Sequence, residues 1–323
     1  MTTPLPATDI LAERTGRAGL MTLNRPAALN ALTLPMIRQL RVAFDVHVAD
    51  PAVQVIVLRS ASPKAFCAGG DMRRIRELSL AGHRDEIAAF FTEEYALNLA
   101  IAECPKPYVS LIDGIAMGGG LGLSVHGRYR VVTEHAQMAM PETAIGFIPD
   151  VGASYFLSGL DPAIGRWLAL TGARVKADDA VAVGLATQLT RRERLPELLA
   201  ALTDAGAGEV EAVLQRFDDT PDTGETLAAL RRRAAGFDAP RLDDVLAAWR
   251  AHEGDEALRA FSPAALRQTF RLLDDAKGRS LRDCLALEFS ASMIAAFDPD
   301  FIEGARAVLV DKDRSPRWRA DPG

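Results

Sequence analysis

Two glycine-rich stretches and two carboxylates are the residues of this chain best suited to chemistry. The stretches are 66–71 (FCAGGD) and 117–120 (MGGG), and each follows an apolar segment and precedes a helix-like one. Glycine permits tight turns, and a strand that turns into a helix leaves free N–H groups at the turn. Two such turns can direct one N–H each at a single carbonyl oxygen and so stabilise an oxyanion. Glu142 and Asp150 follow soon after the second turn, and this combination indicates acyl chemistry.

Neither glycine-rich stretch has the spacing of a nucleotide-binding motif. The GxxxxGK[ST] pattern of a P-loop is missing from both, and so is the GxGxxG dinucleotide fingerprint. Tight backbone packing explains three glycines at 118–120 about as well as a catalytic role does, when the glycines are taken alone. Asp71 is predicted to cap the helix that follows the first stretch.

Short apolar runs alternate with helix-like stretches from about residue 9 to residue 190, which predicts an α/β core. Strands are predicted over 18–23, 53–58, 108–112, 128–133 and 137–140, and helices over 33–47 and 87–101. Beyond residue 190 the sequence predicts helices over 195–202, 211–217, 226–237, 242–252, 263–274 and 280–296. We therefore expect an α/β core at 1–190 and a mostly helical C-terminal subdomain at 191–323.

Composition excludes several classes of function. The chain has 323 residues and a net charge of −6, which gives no electrostatic footprint for nucleic acid. No apolar stretch approaches the roughly 20 residues that span a bilayer, so we expect no membrane segment. The three cysteines are far apart and have no zinc-like spacing, so no metal site is predicted. Sparse cysteines suit a reducing cytosol, and segment 1–6 does not look like a signal peptide, so a cytoplasmic protein is expected.

Several motifs resemble the crotonase (enoyl-CoA hydratase/isomerase) superfamily. They are the two glycine-rich turns together with 24–26 (NRP), 29–32 (LNAL) and 140–146 (MPETAIG). Within the superfamily, four further segments are most similar to the 3-hydroxyisobutyryl-CoA hydrolase subgroup. These segments are 91–95 (FTEEY), 120–127 (GLGLSVHG), 148–152 (IPDVG) and 303–313 (EGARAVLVDKD). The resemblance runs from near the N-terminus to Trp318.

The resemblance implies a fold and a substrate class. The fold is a spiral of ββα units, and the substrate is a coenzyme A thioester, with no metal or redox cofactor. Ala68, Gly70 and Met72 match positions that contact coenzyme A in the superfamily. Relatives commonly form trimers or hexamers, so a homo-oligomer is an expectation that the sequence leaves open. The basic residues considered for the coenzyme A phosphates are Arg25, Lys64, Arg73 and Arg74, and a solvated face explains any one of them equally well.

The resemblance also assigns roles at the site. Gly70 and Gly119 match the residues whose N–H groups form the oxyanion hole, and Glu142 matches the retained catalytic glutamate. Asp150 and Glu94 match acidic substrate-site positions of the hydrolase subgroup. Glu142 is then either a general base for water or a nucleophile that gives a short-lived anhydride, and the sequence leaves both routes open. Asp150 is expected to orient the substrate hydroxyl or water.

One departure from the wider superfamily bears on the reaction. Hydratases carry a second catalytic glutamate after the second turn, and here the matching residue is Gly122. The hydrolase subgroup lacks that glutamate too, so the resemblance implies hydrolysis of a short branched 3-hydroxyacyl-CoA thioester in valine breakdown. The alternative enzyme is an enoyl-CoA hydratase or isomerase that uses Glu142 with Asp150. A third hypothesis is an acyl-CoA-binding protein without turnover.

Structural roles are alternatives at every one of these positions. Glu142 follows a proline and has the features of an exposed loop carboxylate. Asp150 precedes a helix-like stretch and would serve as its N-cap, and Glu94 would lie on a solvated helical face. His126 is better explained as a satisfied buried histidine, and Cys67 as an inert core residue.

Overall fold

Ten strands form two sheets in the structure, a computed structural model that describes residues 8–319. The strands are β1 (Ile10–Thr15), β2 (Ala18–Leu23), β3 (Val55–Ser60), β4 (Ala65–Cys67), β5 (Tyr108–Ile112), β6 (Ile115–Met117), β7 (Tyr129–Val132), β8 (Gln137–Ala139), β9 (Val175–Lys176) and β10 (Gln188–Leu189). The larger sheet has the order β1-β2-β3-β5-β7-β10, and the smaller sheet has the order β4-β6-β8-β9. Segment 1–6, used above for the targeting expectation, lies outside the described residues.

From β3 to β8, successive strands alternate between the two sheets. In each of the pairs β3–β4, β5–β6 and β7–β8, the first strand joins the larger sheet and the second joins the smaller one. Equivalent strands of successive pairs lie side by side and parallel. Parallel neighbours need a crossover connection, and each turn of the chain supplies one. The result is the expected ββα spiral, which confirms the α/β prediction.

Helices make up most of the rest of the described chain. They are α1 (Leu34–Ala49), α2 (Met72–Ala81), α3 (Arg84–Ala102), α4 (Gly119–Gly122), α5 (Ala153–Ser158), α6 (Pro162–Thr171), α7 (Ala177–Ala182), α8 (Leu195–Asp204), α9 (Val210–Arg216), α10 (Gly224–Arg233), α11 (Leu242–Glu253), α12 (Asp255–Leu258), α13 (Pro263–Ala276), α14 (Leu281–Ala295) and α15 (Pro299–Ala305), followed by a π-helical turn at Arg306–Val310. Asp71 caps α2 as predicted, because its side chain accepts the N–H of Arg74 at 3.3 Å. None of the helices in residues 8–319 is both long and apolar enough to cross a membrane.

The helices after residue 190 pack in two different places. Apolar residues of α8 and α9, such as Leu198 and Val213, form one core cluster with Leu20 and Val57 of the larger sheet. Helices α10, α11, α13, α14 and α15 contribute instead to the main core, which also contains α1 and α3. The chain beyond β10 therefore holds helices and no strand up to residue 319, yet it packs on both sides of the strands. The boundary at 190/191 stays a prediction.

The Asn30 side chain links the first glycine-rich turn to neighbouring segments through hydrogen bonds. Its side chain is fully buried, and its Nδ2 donates to the Phe66 carbonyl at 2.9 Å and to Ser60 Oγ at 2.7 Å. Its Oδ1 accepts the Arg25 N–H at 2.8 Å. The backbone of Asn30 is left-handed, with φ of 57°, a conformation that asparagine tolerates better than most residues. The LNAL motif therefore has a structural function at the turn.

We expect Asn30→Ala to lower the free energy of unfolding by about 2–4 kcal/mol, because buried donors and acceptors at the turn lose their partners. Urea denaturation followed by circular dichroism measures this change. Asn24→Ala is the matched control, since the one hydrogen bond of the Asn24 side chain within residues 8–319 is an exposed one to the Thr8 carbonyl. Equal destabilisation by both substitutions would contradict the role given to Asn30.

Candidate active site

The two predicted glycine turns lie side by side. Gly70 follows β4, and Gly119 begins α4 after β6, and β4 and β6 are parallel neighbours in the smaller sheet. A methyl group placed on Gly119 would lie 3.5 Å from the Gly70 nitrogen, and one placed on Gly69 would lie 3.6 Å from the Gly119 nitrogen. The structure thus brings together the two N–H groups that the sequence resemblance assigned to an oxyanion hole.

Neither of these N–H groups donates a hydrogen bond to another described residue. Around Gly70, a parallel bridge uses the neighbouring groups instead, since the Leu32 N–H donates to the Gly69 carbonyl and the Asp71 N–H donates to the Leu32 carbonyl, both at 2.8 Å. Gly119 is the first residue of a helix, where N–H groups have no intrahelical partner. Two donors are therefore available to a ligand oxygen.

The glycines and the acidic residues predicted for the site line one pocket of about 340 Å³. Glu94 comes from α3, Glu142 from the turn that follows β8, and Asp150 from the loop before α5. A methyl group on Gly118 would lie 2.7 Å from Glu142 Oε1, and one on Gly119 would collide with Glu94 Oε1. The absence of side chains at these glycines is what allows two carboxyl groups to approach the turn.

All three carboxyl groups are buried, and no basic side chain among the described residues forms an ion pair with them. Burial raises the pKa of Glu142 well above its usual range, and the nearby Asp150 raises it further. Burial likewise raises the pKa of Glu94, with Asp150 and then Glu142 adding to the effect. The structural alternatives are therefore wrong here: Glu142 is not an exposed loop carboxylate, and Glu94, with an exposed fraction of 2%, is not on a solvated face.

Asp150 does not cap α5, so that alternative is also wrong. The residue before α5 is Gly152, and the Asp150 side chain instead accepts a hydrogen bond from Tyr95 Oη at 2.7 Å. Burial raises the pKa of Asp150 to about 7, while the Tyr95 hydrogen bond acts in the opposite direction. His126 packs against the same loop and contacts the Val151 carbonyl through Nε2 at 2.7 Å, so it has a hydrogen-bond partner as expected but is half-buried rather than buried.

Gly122 has no room for the side chain that hydratases place there. A methyl group on Gly122 would lie 2.7 Å from Val151 Cβ and 2.9 Å from Asn98 Nδ2. Val151 reaches this position because its backbone is left-handed, with φ of 55°. The loop that carries Asp150 therefore occupies the space that a glutamate at position 122 would need. The site accordingly combines Glu142 with Asp150 and not with a second glutamate at position 122.

The predicted coenzyme A contacts fall in and beside this pocket. Ala68, Gly70 and Met72 line it, together with Phe90. Phe90 also lines a second cavity of about 690 Å³, which includes Arg25, Arg73 and Arg74. Lys64 is exposed and lines neither cavity, so the structure separates it from the other three basic residues.

Sequence reasoning assigned no chemistry to several residues that form the site. Tyr95 lies within the FTEEY segment, and the lining residues Val308 and Leu309 lie within the 303–313 segment, so the resemblance pointed to these regions without giving them roles. Arg174 also lines the pocket, next to β9, and no motif marks it. Glu288 contacts the loop of Asp150 from α14, and only its position in the fold reveals it.

Comparisons with known proteins identify the family to which the chain is similar. A family model described as enoyl-CoA hydratase/isomerase matches residues 18–322. The mitochondrial 3-hydroxyisobutyryl-CoA hydrolases of Gallus gallus and Homo sapiens are each 41% identical to the chain and align with 97% of it, covering 85% and 84% of their own lengths. The crystal structure of an enoyl-CoA hydratase from Rhodobacter sphaeroides 2.4.1 superposes with a TM-score of 0.88 at 39% identity, over 97% of this chain and 93% of that one.

The raised pKa of Asp150 predicts how stability depends on pH. The folded protein holds this proton up to about pH 7, whereas the ordinary value is 3.8. The unfolded chain therefore releases the proton first, so the free energy of unfolding falls as pH rises from about 4 through 7. The Asp150→Asn side chain does not ionise, so this variant does not lose stability in that way. We expect the free energy of unfolding of Asp150→Asn, relative to that of wild type, to be about 2 kcal/mol higher at pH 8 than at pH 5.

Urea unfolding of both proteins at the two pH values measures this difference. Asp313→Asn is the control, because Arg306 lowers the pKa of the Asp313 carboxyl, which is then ionised at both pH values. A relative stability of Asp150→Asn that is the same at pH 5 and pH 8 would show that Asp150 ionises normally in the fold.

Proposed function

The chain belongs to the enoyl-CoA hydratase/isomerase family, and on this premise we propose that it hydrolyses 3-hydroxyisobutyryl-CoA to 3-hydroxyisobutyrate and coenzyme A. It is an acyl-CoA thioester hydrolase, in agreement with relatives that are 41% identical over nearly the whole chain. This reaction fits a step of valine degradation. The observation that carries the proposal is the pocket in which two free main-chain N–H groups lie beside the buried Glu142.

The first task of the site is to polarise the thioester carbonyl. The carbonyl oxygen accepts hydrogen bonds from the Gly70 and Gly119 N–H groups, which stabilise the negative charge that develops as the carbon is attacked. Loss of one such donor generally raises the barrier by about 3–4 kcal/mol. Because these donors are main-chain groups held by two β-strand ends, they need no rearrangement during the reaction.

Glu142 supplies the attack on the carbonyl carbon. As a general base it removes a proton from water, and the hydroxide equivalent adds to the carbon. As a nucleophile its carboxylate adds directly and forms an anhydride, which water then hydrolyses. In both routes the C–S bond breaks, coenzyme A leaves as a thiolate that takes up a proton, and the acyl group leaves as a carboxylic acid. Both routes require Glu142 in its ionised form.

The other two carboxyl groups have separate roles in the proposal. Asp150 accepts a hydrogen bond from the substrate hydroxyl or from water, with Tyr95 donating to its other side. Glu94 has Oε1 beside Gly119 and no hydrogen-bond partner, and a negative charge there would oppose the oxyanion. Burial and the nearby Asp150 and Glu142 raise the pKa of Glu94, which favours the neutral acid form, and that form can donate to the substrate. The chemistry proposed here needs no metal or redox cofactor.

Hydration of an enoyl-CoA is the alternative reaction, and the name of the Rhodobacter sphaeroides structure makes it worth testing. Hydratases in this family use two glutamates to add water across the double bond, and the place of the second glutamate is filled here by Val151 and Asn98. This packing favours hydrolysis over hydration. Homo-oligomer formation and a cytoplasmic location stay predictions.

We expect Glu142→Gln to lower the rate of thiol release from 3-hydroxyisobutyryl-CoA by about 10²–10⁴-fold, because the amide can act neither as base nor as nucleophile. A thiol reagent follows the reaction continuously. Glu93→Gln is the matched control, since Glu93 lies on α3 and pairs with Arg38 at the surface.

The same assays separate the three hypotheses. Crotonyl-CoA that loses its double-bond absorbance without thiol release would establish hydration instead. Unchanged activity in Glu142→Gln would favour a binding protein whose measured turnover comes from a contaminant.

The second cavity gives a prediction about coenzyme A recognition. We propose that the nucleotide end of coenzyme A lies there, because the cavity shares the lining residue Phe90 with the catalytic pocket and carries basic residues. Arg25 pairs with Asp71 and Arg74 with Glu77, whereas Arg73 is paired with no described carboxylate.

Arg73→Ala is therefore expected to raise KM by roughly 3–10-fold with little change in kcat, since a phosphate contact acts equally on substrate and transition state. Lys64→Ala, outside both cavities, is expected to leave KM unchanged. Initial rates over a range of substrate concentrations measure both parameters. The same rise in KM for both variants would indicate a general electrostatic effect and contradict a phosphate site at Arg73.

A further inference from the structure

The loop that carries Asp150 has a backbone that cannot be stable alone. Val151 has φ of 55° and Gly152 has φ of 85°, so two consecutive residues are left-handed. A β-branched residue in this region costs about 1–3 kcal/mol, and such a conformation persists only where surrounding contacts impose it. The side chain of Val151 packs against Gly122 as a result, and the carboxylate of Asp150 is directed into the pocket.

Glu288 of α14 accepts three hydrogen bonds from the residues that follow Asp150. Its side chain is fully buried, and both of its oxygens are used. Oε2 accepts the Gly152 N–H at 2.6 Å, and Oε1 accepts the Ser154 N–H at 2.8 Å and the Ser154 hydroxyl at 2.6 Å. Three donors thus converge on one buried carboxyl group, and each would be left without a partner if that group were removed. They hold the main chain immediately after Asp150.

Ser292 holds the carboxylate of Asp150 through one intermediate. Ser292 Oγ lies 2.8 Å from Tyr95 Oη, which lies 2.7 Å from Asp150 Oδ2. A phenol has a single hydrogen, and Tyr95 gives it to Asp150, so the hydroxyl of Ser292 donates to Tyr95. Both Ser292 and Tyr95 are buried. The orientation of the carboxylate therefore depends on a hydrogen-bond chain that begins on α14.

Glu288 and Ser292 are four residues apart and lie on one face of the same helix. One residue fixes the main chain beside Asp150, and the other fixes its carboxylate through Tyr95. A purely structural explanation is that Glu288 only caps α5, which begins at Ala153. That explanation does not account for Ser292, whose hydroxyl bonds to Tyr95 and so acts on the Asp150 carboxylate through the Tyr95 phenol.

We propose that Glu288 and Ser292 are positioning residues for Asp150, and that α14 thereby forms part of the catalytic apparatus. The effects on kcat that follow from this proposal rest on the proposed hydrolysis. Glu288→Gln keeps the size of the side chain but turns an amide N–H towards the Gly152 N–H, so one hydrogen bond is lost. Ser292→Ala removes the donor to Tyr95.

A double-mutant cycle with Asp150→Asn distinguishes positioning from general stability. We expect Glu288→Gln to lower kcat about 10–100-fold in the wild-type background, because small misplacements of a reacting group have effects of this size. In the Asp150→Asn background the same substitution should change kcat less than twofold. Ser292→Ala should behave in the same way with a smaller loss. Ser290→Ala is the matched control, because among the described residues the Ser290 hydroxyl bonds to the Ala286 carbonyl of its own helix and to no other group.

Equal losses in both backgrounds, or no loss in the wild-type background, would overturn the proposal. A crystal structure of Glu288→Gln tests the same idea without turnover. We expect Val151 to leave the left-handed region and the Tyr95–Asp150 contact to lengthen beyond hydrogen-bond distance. Retention of both features would refute positioning by Glu288. If the wild-type protein releases no thiol from 3-hydroxyisobutyryl-CoA, the proposed function fails while this structural result still decides the positioning claim.

Discussion

Burial of three carboxyl groups around one small pocket, without a paired cation among residues 8–319, is the constraint on which the site depends. Glu94, Glu142 and Asp150 each have a raised pKa because water is excluded from them. A fold gains no stability from such an arrangement, since the ionised forms are destabilised by burial and by one another. The compensation is chemical: a poorly solvated carboxylate beside two free N–H groups is more reactive than one in water.

Glycine is what makes this crowding geometrically possible. Side chains at Gly118 and Gly119 would overlap with the carboxyl groups of Glu142 and Glu94, and a side chain at Gly122 would overlap with Val151. The glycines of the second turn therefore do more than allow the backbone to bend. They leave room for the carboxyl groups of Glu142 and Glu94 to approach the turn, and at Gly122 they leave room for Val151.

The helices that follow the spiral contribute residues to the candidate site. Helix α14 contacts the loop of Asp150 through Glu288 and supports Tyr95 through Ser292, and Val308 and Leu309 line the pocket. The loop that these contacts hold is strained, so the energy that maintains the position of Asp150 comes from a part of the chain more than a hundred residues away in sequence. A division at residue 190 separates the two kinds of secondary structure but cuts through the functional unit.

The sequence alone determined the elements and the candidate chemistry. Strands such as β2 and β5 and helices such as α1 and α13 followed from local apolar periodicity, and the two glycine turns followed from backbone freedom, because both are properties of neighbouring residues. The roles of Gly70, Gly119 and Glu142 came from a motif resemblance over the same short segments. Only the tertiary structure decided that Glu94 is buried rather than solvated, that Asp150 accepts from Tyr95 rather than capping a helix, and that Glu288 belongs to the site. These depend on contacts between residues as far as 136 positions apart, and no local pattern records which distant side chain will fill a given space.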